Sequence, residues 1–494
     1  METNVTEVET AVESLQLELD HLTVDITLLW LSLGAMFAVL MQAGFAMLEV
    51  GSIGVKHTKN VLIKNVLDFT ITAIVWWSFG WGIAFGHETE DGKFNQIAGP
   101  GTFFGRGDEF KNDAGTFSQE EGFVWARSFF QWCFAGTSIT IVSGAIGERM
   151  CMSGYCLLTL AMTGFIYPVV STHAIGTVWG GWYFFPRLSL GWSSCPPPAR
   201  IVQVHATGGT AALVIVVLVG PRLERFSDKG ESNKMERQSV IIQTLGVFIL
   251  WVGWYGVIGA SALETSGRSY VAARSMVTTT ISAAASGLGV SSASLILFQH
   301  VGHEQVLNGL LSGLVSITAG AAVVELEGAF LIGIIAAFNY LFFSRLLEMV
   351  LIDDMVDATP VHFANGVWGV VAAGLFASSE AYSSAYHPDR SYKCCGWFYG
   401  CGAEQLAANL LYILGVVIWV GSLTFLTASF IRSLGILRIS KEVEENGTDS
   451  HAHGGSELPE FAKHLLSRVE SLASRATYLE EFTSSGSRTA VASG

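Results

Sequence analysis

Eleven runs of mostly apolar residues fill most of the chain, and each is close to the length of about 20 residues that a helix needs to cross a bilayer. They are residues 26–50, 62–86, 122–144, 152–175, 201–219, 238–260, 274–299, 305–324, 329–346, 360–378 and 406–430, of which the fifth and ninth are the weakest. Only 14% of the 494 residues are charged, against roughly 25% in an average soluble domain. Too few polar residues remain to cover a soluble domain. The pattern predicts an all-α polytopic membrane protein with eleven transmembrane helices, and excludes disordered, disulfide-scaffold and nucleic-acid-binding chains.

The charges predict how the chain is oriented. The segments that we place inside carry Lys56, Lys59, Arg149, Arg222, Arg225, Lys229, Lys234, Arg237, Arg432, Arg438 and Lys441, as the positive-inside rule requires. The loop 87–121 is mainly acidic and is placed outside. We therefore predict an acidic extracellular segment at 1–25, a transmembrane domain at 26–432 and a cytosolic tail at 433–494.

Two histidines stand inside predicted spans, where ionisable residues are costly and are functional candidates by default. His205-Ala-Thr-Gly-Gly209 opens the fifth span and His362-Phe-Ala-Asn-Gly366 opens the tenth. This pattern, repeated five spans apart, predicts a 5+5 inverted repeat plus one extra helix, with a site where the halves meet. A neutral pair of imidazoles can share one proton and offer a lone pair to a small polar solute. A single buried histidine, by contrast, is usually only a packing group.

We predict structural or supporting roles for the acidic residues near these spans. Asp357, with Asp353 and Asp354 just before it, is typical of a solvated helix start, since acids favour helix N-termini. Glu49 and Asp68 are predicted to join helices through hydrogen bonds. Two histidines alone bind a metal weakly, so neither a metal nor another cofactor is expected. The chain has no metalloprotease motif and no phosphate-binding glycine loop, so we do not expect an enzyme.

Several motifs resemble those of the ammonium transporter family, on the Amt side of the Amt/Rh superfamily. They are Gly44-Phe45-Ala46-Met47-Leu48-Glu49-Val50-Gly51 with Lys59-Asn60, then Lys64-Asn65 through Asp68 to Phe79-Gly80, Phe129-Phe130-Gln131-Trp132-Cys133-Phe134-Ala135 with Gly147-Glu148-Arg149, His205 through Gly220-Pro221-Arg222, Asn308-Gly309 to Gly320, Asp353-Asp354 to His362, and the tail motif from Arg438-Ile439 through Asp449 to His453-Gly454. The resemblance covers about residues 25–455 and is specific, because many separate motifs carry it.

The resemblance implies a homotrimer in the plasma membrane, in contact with membrane lipid and with one pore per subunit. Ammonium, or methylammonium, would be recruited at an outer site formed by Phe130, Trp179 and Ser261. Aromatic faces attract a small cation and a hydroxyl accepts its hydrogen bond. The cation would lose its proton there, and ammonia would cross past a gate at Phe134 and the twin histidines His205 and His362.

Three positions depart from the family's pattern. Pro197 stands where the fifth helix of the family has an Asp that supports the outer site, and Val257, followed by Ile258, stands where the second Phe of the gate belongs. His451 aligns with a tail threonine that some relatives phosphorylate. The alternatives are an imperfect gene model over 186–204, a transport-impaired ammonium sensor, an Rh-type ammonia gas channel and a membrane-embedded interaction protein.

The tail beyond residue 455 leaves the family's pattern. Its apolar residues Phe461, Leu465, Val469, Leu472, Ala476 and Leu479 recur at three- and four-residue steps. This spacing predicts an amphipathic helix at 461–479 for the membrane surface or a cytosolic partner, with self-association as the simpler alternative, before a disordered Ser/Thr/Gly-rich end. Outside the membrane, Cys394, Cys395 and Cys401 share a loop, and with Cys195 they can form one or two disulfides.

Overall fold

The computed structural model describes residues 2–85, 103–105, 119–171, 202–261, 269–385, 394–453 and 468. Its α-helices are α1 (Glu2–Ser52), α2 (Thr58–Val75), α3 (Trp81–Phe85), α4 (Gln119–Ile146), α5 (Met152–Ala161), α6 (Tyr167–Ser171), α7 (Val202–Val219), α8 (Val240–Ala260), α9 (Ser269–Phe298), α10 (His303–Ile317), α11 (Leu326–Met349), α12 (Asn365–Phe376), α13 (Ser379–Ala385), α14 (Glu404–Ser433), α15 (Lys441–Asn446) and α16 (Thr448–Ala452). π-Helical turns at Trp76–Gly80, Met162–Ile166 and Thr359–Ala364 join some of them. No β-strand occurs in the described part of the chain, and the predicted all-α polytopic membrane fold is confirmed.

Eight helical stretches of the described residues are long and apolar enough to cross a membrane. They are Glu7–Ser52, Val55–Phe85, Gly122–Ile146, Met152–Ser171, Val240–Ala260, Ser269–Leu297, Leu326–Met349 and Glu404–Ser433. The helices at the fifth, eighth and tenth predicted runs are shorter, with 18 residues in α7, 15 in α10 and 12 in α12. The ninth run, which was expected to be weak, forms the 24-residue α11. Because α7, α10 and α12 are not among the eight stretches, the total of eleven spans stays a prediction.

The structure describes the N-terminal end of the chain but little of the C-terminal end. Residues 2–25 are not separate from the first span, because α1 begins at Glu2 and continues as one helix to Ser52. The boundary between an extracellular segment at 1–25 and a membrane span from residue 26 stays a prediction. At the other end, the predicted amphipathic helix 461–479 lies outside the described residues, apart from position 468.

A disulfide links Cys395 and Cys401 in the turn that leads into α14. This is one of the pairings left open among the three cysteines of that loop. Cys195, the fourth candidate, lies outside the described residues.

Helices α1 and α8 pack closely because glycines face each other across the contact. A methyl group on Gly246 of α8 would come within 2.5 Å of the Leu48 backbone nitrogen and 2.7 Å of the Gly44 carbonyl oxygen. Small residues permit such approaches between helices in lipid, where no hydrophobic drive brings them together. The contact sets the position of Phe45, which lies beside the histidine site described below.

We expect Gly246→Ala to destabilise the protein, although alanine is by itself about 1 kcal/mol better than glycine in a helix. The clash with Leu48 forces the helices apart, and overpacking of this kind costs about 1–3 kcal/mol. The measurement is the midpoint of thermal unfolding in detergent. Gly287→Ala is the matched control, since its methyl group would find its nearest neighbour 3.7 Å away, at Leu310. Equal midpoints for the two variants would contradict the packing argument.

Candidate functional site

The two predicted histidines meet in the interior of the helical bundle. His205 lies in the first turn of α7, and His362 lies in the π-helical turn Thr359–Ala364. Their Nδ1 atoms are 3.1 Å apart, and the side chains are only 2% and 5% exposed. An Nδ1–Nδ1 hydrogen bond requires one ring to donate and the other to accept. In the neutral pair a single hydrogen is therefore shared between these two atoms, and each ring keeps its Nε2 for another partner.

The glycines of the two His-x-x-x-Gly motifs explain how the rings come so close. A methyl group on Gly209 would lie 2.3 Å from the Phe363 nitrogen, beside His362. Reciprocally, a methyl group on Gly366 would lie 3.5 Å from the Cβ of His205. Each motif thus places its glycine against the histidine segment of the other motif. Two helices that cross at their histidines need a small residue at the contact, and the repeated pattern supplies a glycine on each helix.

Aromatic rings cover the histidine pair. Trp254 of α8 stacks on His205, with ring centroids 5.0 Å apart and planes 6° from parallel, and its Nε1 donates to Thr318 Oγ1 at 3.2 Å. The Phe45 ring lies 6.4 Å from His362. The sequence analysis assigned Trp254 no role. Trp254 lies far from either histidine in the sequence, so the stacking could not be predicted from it. The contact depends on how α7 and α8 are rotated about their axes.

The residues predicted to form the outer site and gate are only partly described. Phe130 and Phe134 lie one turn apart on α4, and their rings meet edge to face with centroids 4.6 Å apart. Ser261 ends α8, where its Oγ donates to the Val257 carbonyl oxygen at 2.7 Å. Val257 is itself buried. Trp179, Pro197 and almost all of the segment 186–204 lie outside the described residues.

Two neighbouring cavities lie beside the histidine pair, and the first of them borders His362. The first, about 20 Å³, is lined by His362 with mostly apolar neighbours that include Phe45 and Leu311. The second, about 350 Å³, is lined by charged residues that include Arg225, Glu304 and Glu348. Leu48, Asn308 and Val356 line both cavities. A narrow apolar space therefore leads from the histidines into a wide charged vestibule.

The acids of the first two spans are buried and bonded to neighbouring helices. Glu49 Oε2 accepts from Asn65 Nδ2 at 3.0 Å and from Ser143 Oγ at 2.9 Å. Asp68 Oδ2 accepts from Thr140 Oγ1 at 3.0 Å and from Tyr155 OH at 2.9 Å. These bonds connect α1, α2, α4 and α5, and Glu49 also lines the small cavity.

Of the acids before His362, Asp353 is buried, and Asp354 and Asp357 are half-buried and hydrogen-bonded within the protein, so the expectation of a solvated helix start was wrong. Asp354 accepts from the backbone N–H groups of Ala358 and Thr359, which begin the turn that carries His362. Asp357 Oδ2 accepts from Tyr340 OH at 2.8 Å and from Ser344 Oγ at 3.0 Å. The turn itself supplies the donors to Asp354 and α11 supplies those to Asp357, and together the bonds fix the start of the turn.

Asp353 belongs to a buried ion-pair cluster at the same end of the bundle. It receives two parallel hydrogen bonds from Arg222, Nε to Oδ2 at 2.8 Å and Nη2 to Oδ1 at 2.9 Å. Arg222 Nη1 also donates to Glu148 Oε2 at 2.9 Å, and Glu148 Oε1 accepts from the Gly54 N–H. The cluster joins four connecting segments around the vestibule. Sequence reasoning had identified these residues only as motif positions and inside charges.

The chain after α14 docks on these connecting segments. Arg438 Nη1 donates to the Val219 carbonyl oxygen at 2.9 Å and its Nη2 donates to Glu444 Oε2 at 2.9 Å. Asp449 caps α2, since the backbone N–H groups of Lys59 and Asn60 donate to its two oxygens, each at 2.9 Å. A helix N-terminus has unpaired N–H groups, and His57 in the N-cap position makes no side-chain cap. The tail supplies the missing cap.

We expect Asp449→Ala to release the tail from α2. Loss of a capping side chain costs about 0.5–2 kcal/mol, so the undocked population should rise about 2- to 30-fold. The measurement is the rate of limited trypsin cleavage at Lys441 in membranes. Ser450→Ala is the control, because Ser450 Oγ donates only within the tail, to the Asn446 and Gly447 carbonyl oxygens. Unchanged cleavage of the Asp449 variant would mean that the cap does not hold the tail.

No group of three or more His, Cys, Asp or Glu side chains in the described ranges is arranged to hold a metal ion.

Comparison with known proteins finds the same family throughout. The model of the Ammonium Transporter Family matches residues 29–458. Ammonium transporter 3 of Dictyostelium discoideum is 34% identical over 430 residues, which cover 86% of this chain and 93% of that protein. Ammonium transporter 1 member 2 of Arabidopsis thaliana is 33% identical over 418 residues, covering 82% and 78%.

Solved structures give the same result. A protein described as Sensor Amt Protein superimposes with a TM-score of 0.74 at 26% identity, covering 88% of this chain and 100% of that one. Mep2 of Saccharomyces cerevisiae has a TM-score of 0.69 at 21% identity, with coverage of 84% and 88%, which shows a shared fold. The family match spans most of the chain and confirms the resemblance seen in its motifs. This chain belongs to the Ammonium Transporter Family.

Proposed function

We propose that the protein carries ammonium across the plasma membrane by passing ammonia through a pore lined by His205 and His362. The observation that carries the proposal is the 3.1 Å contact between the two imidazoles beside a narrow apolar cavity. Ammonium binds first at an outer site made by Phe130, Trp179 and Ser261, where it gives its proton to water on the outer side of the membrane. Ammonia then passes the Phe134 gate and the histidine pair.

The size and lining of the pore support selection of a neutral molecule. The cavity of about 20 Å³ beside His362 has room for about one molecule of the size of water. A cation that enters such an apolar space loses its hydration at a large cost, whereas ammonia loses much less. The histidine pair supplies the polar contact that ammonia needs at this point, as a donor or an acceptor.

The acids have positioning roles in this proposal. Glu49 and Asp68 hold the first helices against α4 and α5 through their hydrogen bonds. Asp357 holds the turn that carries His362 through Tyr340 and Ser344. Asp68 and Asp357 need not contact the transported molecule, whereas Glu49 also lines the cavity that it crosses.

We further propose a homotrimer in contact with membrane lipid, with the N-terminus outside and the C-terminus in the cytosol. The arginine-rich segments around Arg149, Arg222 and Arg438 lie together at one end of the bundle. The positive-inside rule assigns that end to the cytosol. The docked tail then faces the cytosol, where its continuation is available to a cytosolic partner.

The test is uptake of radiolabelled methylammonium by cells that lack their own ammonium transporters, with surface expression measured in parallel. We expect saturable uptake that ammonium competes away. Absence of uptake by folded protein at the cell surface would contradict the transport proposal.

Ammonium sensing is the second candidate function. It is favoured by the similarity to Sensor Amt Protein over the whole length of that chain, and by Val257 in place of the second gate ring. A sensor would bind methylammonium without net uptake. Binding to purified protein, measured beside uptake, therefore separates the two functions.

A further inference from the structure

One oxygen of the buried Glu49 carboxyl group has no partner. Its Oε2 accepts from Asn65 Nδ2 and from Ser143 Oγ, but its Oε1 meets no hydrogen-bond donor among the described residues. The side chain is only 1% exposed, so this oxygen is not in contact with bulk solvent. A buried polar atom left without a partner costs about 1–3 kcal/mol. A small molecule with N–H or O–H groups would therefore be stabilised beside Glu49 Oε1.

This oxygen borders the small cavity beside His362. Glu49 and His362 both line that cavity of about 20 Å³. The space next to Oε1 exists because residue 144 is a glycine. A methyl group on Gly144 would lie 3.8 Å from Glu49 Oε1 and 2.9 Å from Val356 Cγ2, and Val356 lines the same cavity. A molecule that leaves the histidine pair on this side therefore meets a carboxyl oxygen without a partner.

The ionisable groups around Glu49 comprise two carboxyls and one amine. Asp68 and Lys64, both of α2, are each 1% exposed, and Lys64 interacts electrostatically with both carboxyls. The other titratable side chains beside Glu49 are Tyr155 and His362, which are mostly neutral at about pH 7. An uncompensated buried charge is strongly destabilising. The cluster is therefore most stable with one carboxylate beside the charged amine, and the second carboxyl keeps its proton.

Of the two carboxyls, only Glu49 lines the cavity. A molecule in the cavity can take the proton from Glu49 but does not reach Asp68. Glu148 and Arg149 also act on Lys64, but their charges have opposite signs and both belong to the Asp353 cluster. They leave the charge balance of the two carboxyls and the amine unchanged.

We propose that the Glu49 carboxyl group returns a proton to ammonia after ammonia has passed the histidine pair. The inference rests on the transport proposed above and adds its inner chemical step. The nitrogen lone pair takes the hydrogen from Oε1, so that an N–H bond forms as the O–H bond breaks. Ammonia is a stronger base than a carboxylate, and ammonium is left beside the Glu49 carboxylate. Ammonium moves into the charged vestibule, and water on the cytosolic side restores the proton to Glu49.

The position of Glu49 suits this step. A cation formed in an apolar space needs a counter-charge, because it loses its hydration at a large cost. The carboxylate that remains on Glu49 supplies that counter-charge at the moment when the cation forms. Return of the cation past the histidines is disfavoured by the same cost, so protonation at this point makes the passage directional.

Glu49→Gln separates the acid from the hydrogen-bonding role of the side chain. The amide oxygen can still accept from Asn65 and Ser143, but the amide has no proton that ammonia can remove. A positioned acid speeds a proton transfer by about 10²–10⁴-fold, and the transfer is one of several steps, so we expect the initial rate of methylammonium uptake per molecule at the cell surface to fall at least about tenfold.

Ser143→Ala is the matched control, because it removes one hydrogen bond to Glu49 Oε2 and leaves the acid in place. Its uptake should stay close to that of the unchanged protein. Normal uptake by Glu49→Gln would overturn the proposal. Equal losses in Glu49→Gln and Ser143→Ala would mean that Glu49 only joins helices, and would overturn it as well.

Infrared difference spectroscopy on the purified full-length protein tests the proton transfer without transport. The spectrum in ammonium chloride, minus the spectrum in potassium chloride, should show loss of a protonated-carboxyl band and gain of a carboxylate band. Glu49→Asp keeps an acid and should shift the lost band, which assigns it to this residue even where Glu49→Gln is unstable. A spectrum without this loss, or a band that Glu49→Asp leaves in place, would overturn the proposal.

Failure of this proposal is distinguishable from failure of the proposed function. Absence of uptake by the unchanged protein contradicts transport. The infrared measurement does not depend on conduction, because ammonia can reach Glu49 from the vestibule, which shares Leu48, Asn308 and Val356 with the small cavity. Normal uptake without a change in the carboxyl band would leave transport standing and remove Glu49 as the acid.

Discussion

Replacement of His205 by alanine is expected to lower saturable methylammonium uptake at least about fivefold without loss of protein from the surface. The change removes the ring that shares a hydrogen with His362 and leaves the remaining Nδ1 buried without its partner. Such a loss costs about 1–3 kcal/mol, and it falls beside the small cavity of the proposed pore. The measurement is the initial rate of uptake per molecule at the cell surface.

Variants of the partner ring and of the approaching glycine make the test specific. His362→Ala should have a similar effect, and the double variant should be no worse than either single one, because residues that act as a unit are not additive. Gly209→Ala should also lower uptake, since its methyl group would push against Phe363 and His362 and separate the rings.

Thr210→Ala is the matched control for these variants. Thr210 is buried in α7 near His205, but its hydroxyl donates only to the Ala206 carbonyl oxygen of its own helix. Its uptake should stay close to that of the unchanged protein. Normal uptake by His205→Ala would contradict a pore through the histidine pair, whereas equal losses in Thr210→Ala would indicate general damage to α7.

The histidine pair could be predicted because each helix carries, in its own sequence, both a histidine and the glycine that permits close approach. A histidine that meets its partner needs a helix that approaches closely, and Gly209 and Gly366 mark that approach one turn after each histidine. The pairing is therefore visible as a repeated local pattern. The same reasoning found the helices, because membrane spans are long apolar runs.

Features that depend on tertiary contact were not predictable in the same way. The stacking of Trp254 on His205 follows from the rotation of α8, which is set by the glycine contact with α1. Asp353 and Asp357 looked solvated, because nothing local shows that Arg222 and Tyr340 arrive from distant segments. The continuation of α1 through residues 2–25 was also not predicted, since apolar runs mark membrane spans and do not show where a helix begins.

Asp353→Asn is expected to destabilise the protein by about 3–5 kcal/mol, because Asp353 is the carboxylate at the centre of the buried ion-pair cluster with Arg222. The amide keeps the size of the side chain, but Arg222 is left with a neutral partner where it had a carboxylate. Arg149 is also affected, as its Nη1 lies 3.9 Å from Asp353 Oδ2. Thermal unfolding in detergent measures the loss.

Arg345→Gln is the control for this variant, because Arg345 is 55% exposed and its partner Glu348 is only half-buried. Exposed pairs contribute about 0–1 kcal/mol, so the midpoint should change little. A similar loss in both variants would mean that burial does not decide the strength of these pairs.

The pH dependence of stability gives an independent check on the same carboxylate. Burial alone would raise the pKa of Asp353, but the hydrogen bonds and charge of Arg222, together with Arg149, outweigh it and hold the pKa below its usual range. A depressed pKa in the folded protein stabilises it above the unfolded pKa of about 3.9 and is lost as pH falls through the folded value. The unchanged protein should therefore lose stability more steeply than Asp353→Asn between about pH 5 and pH 3, so that the difference between them narrows in acid. A constant difference over this range would mean that Asp353 does not carry its charge in the folded cluster, and that the arginines are held by Glu148 alone.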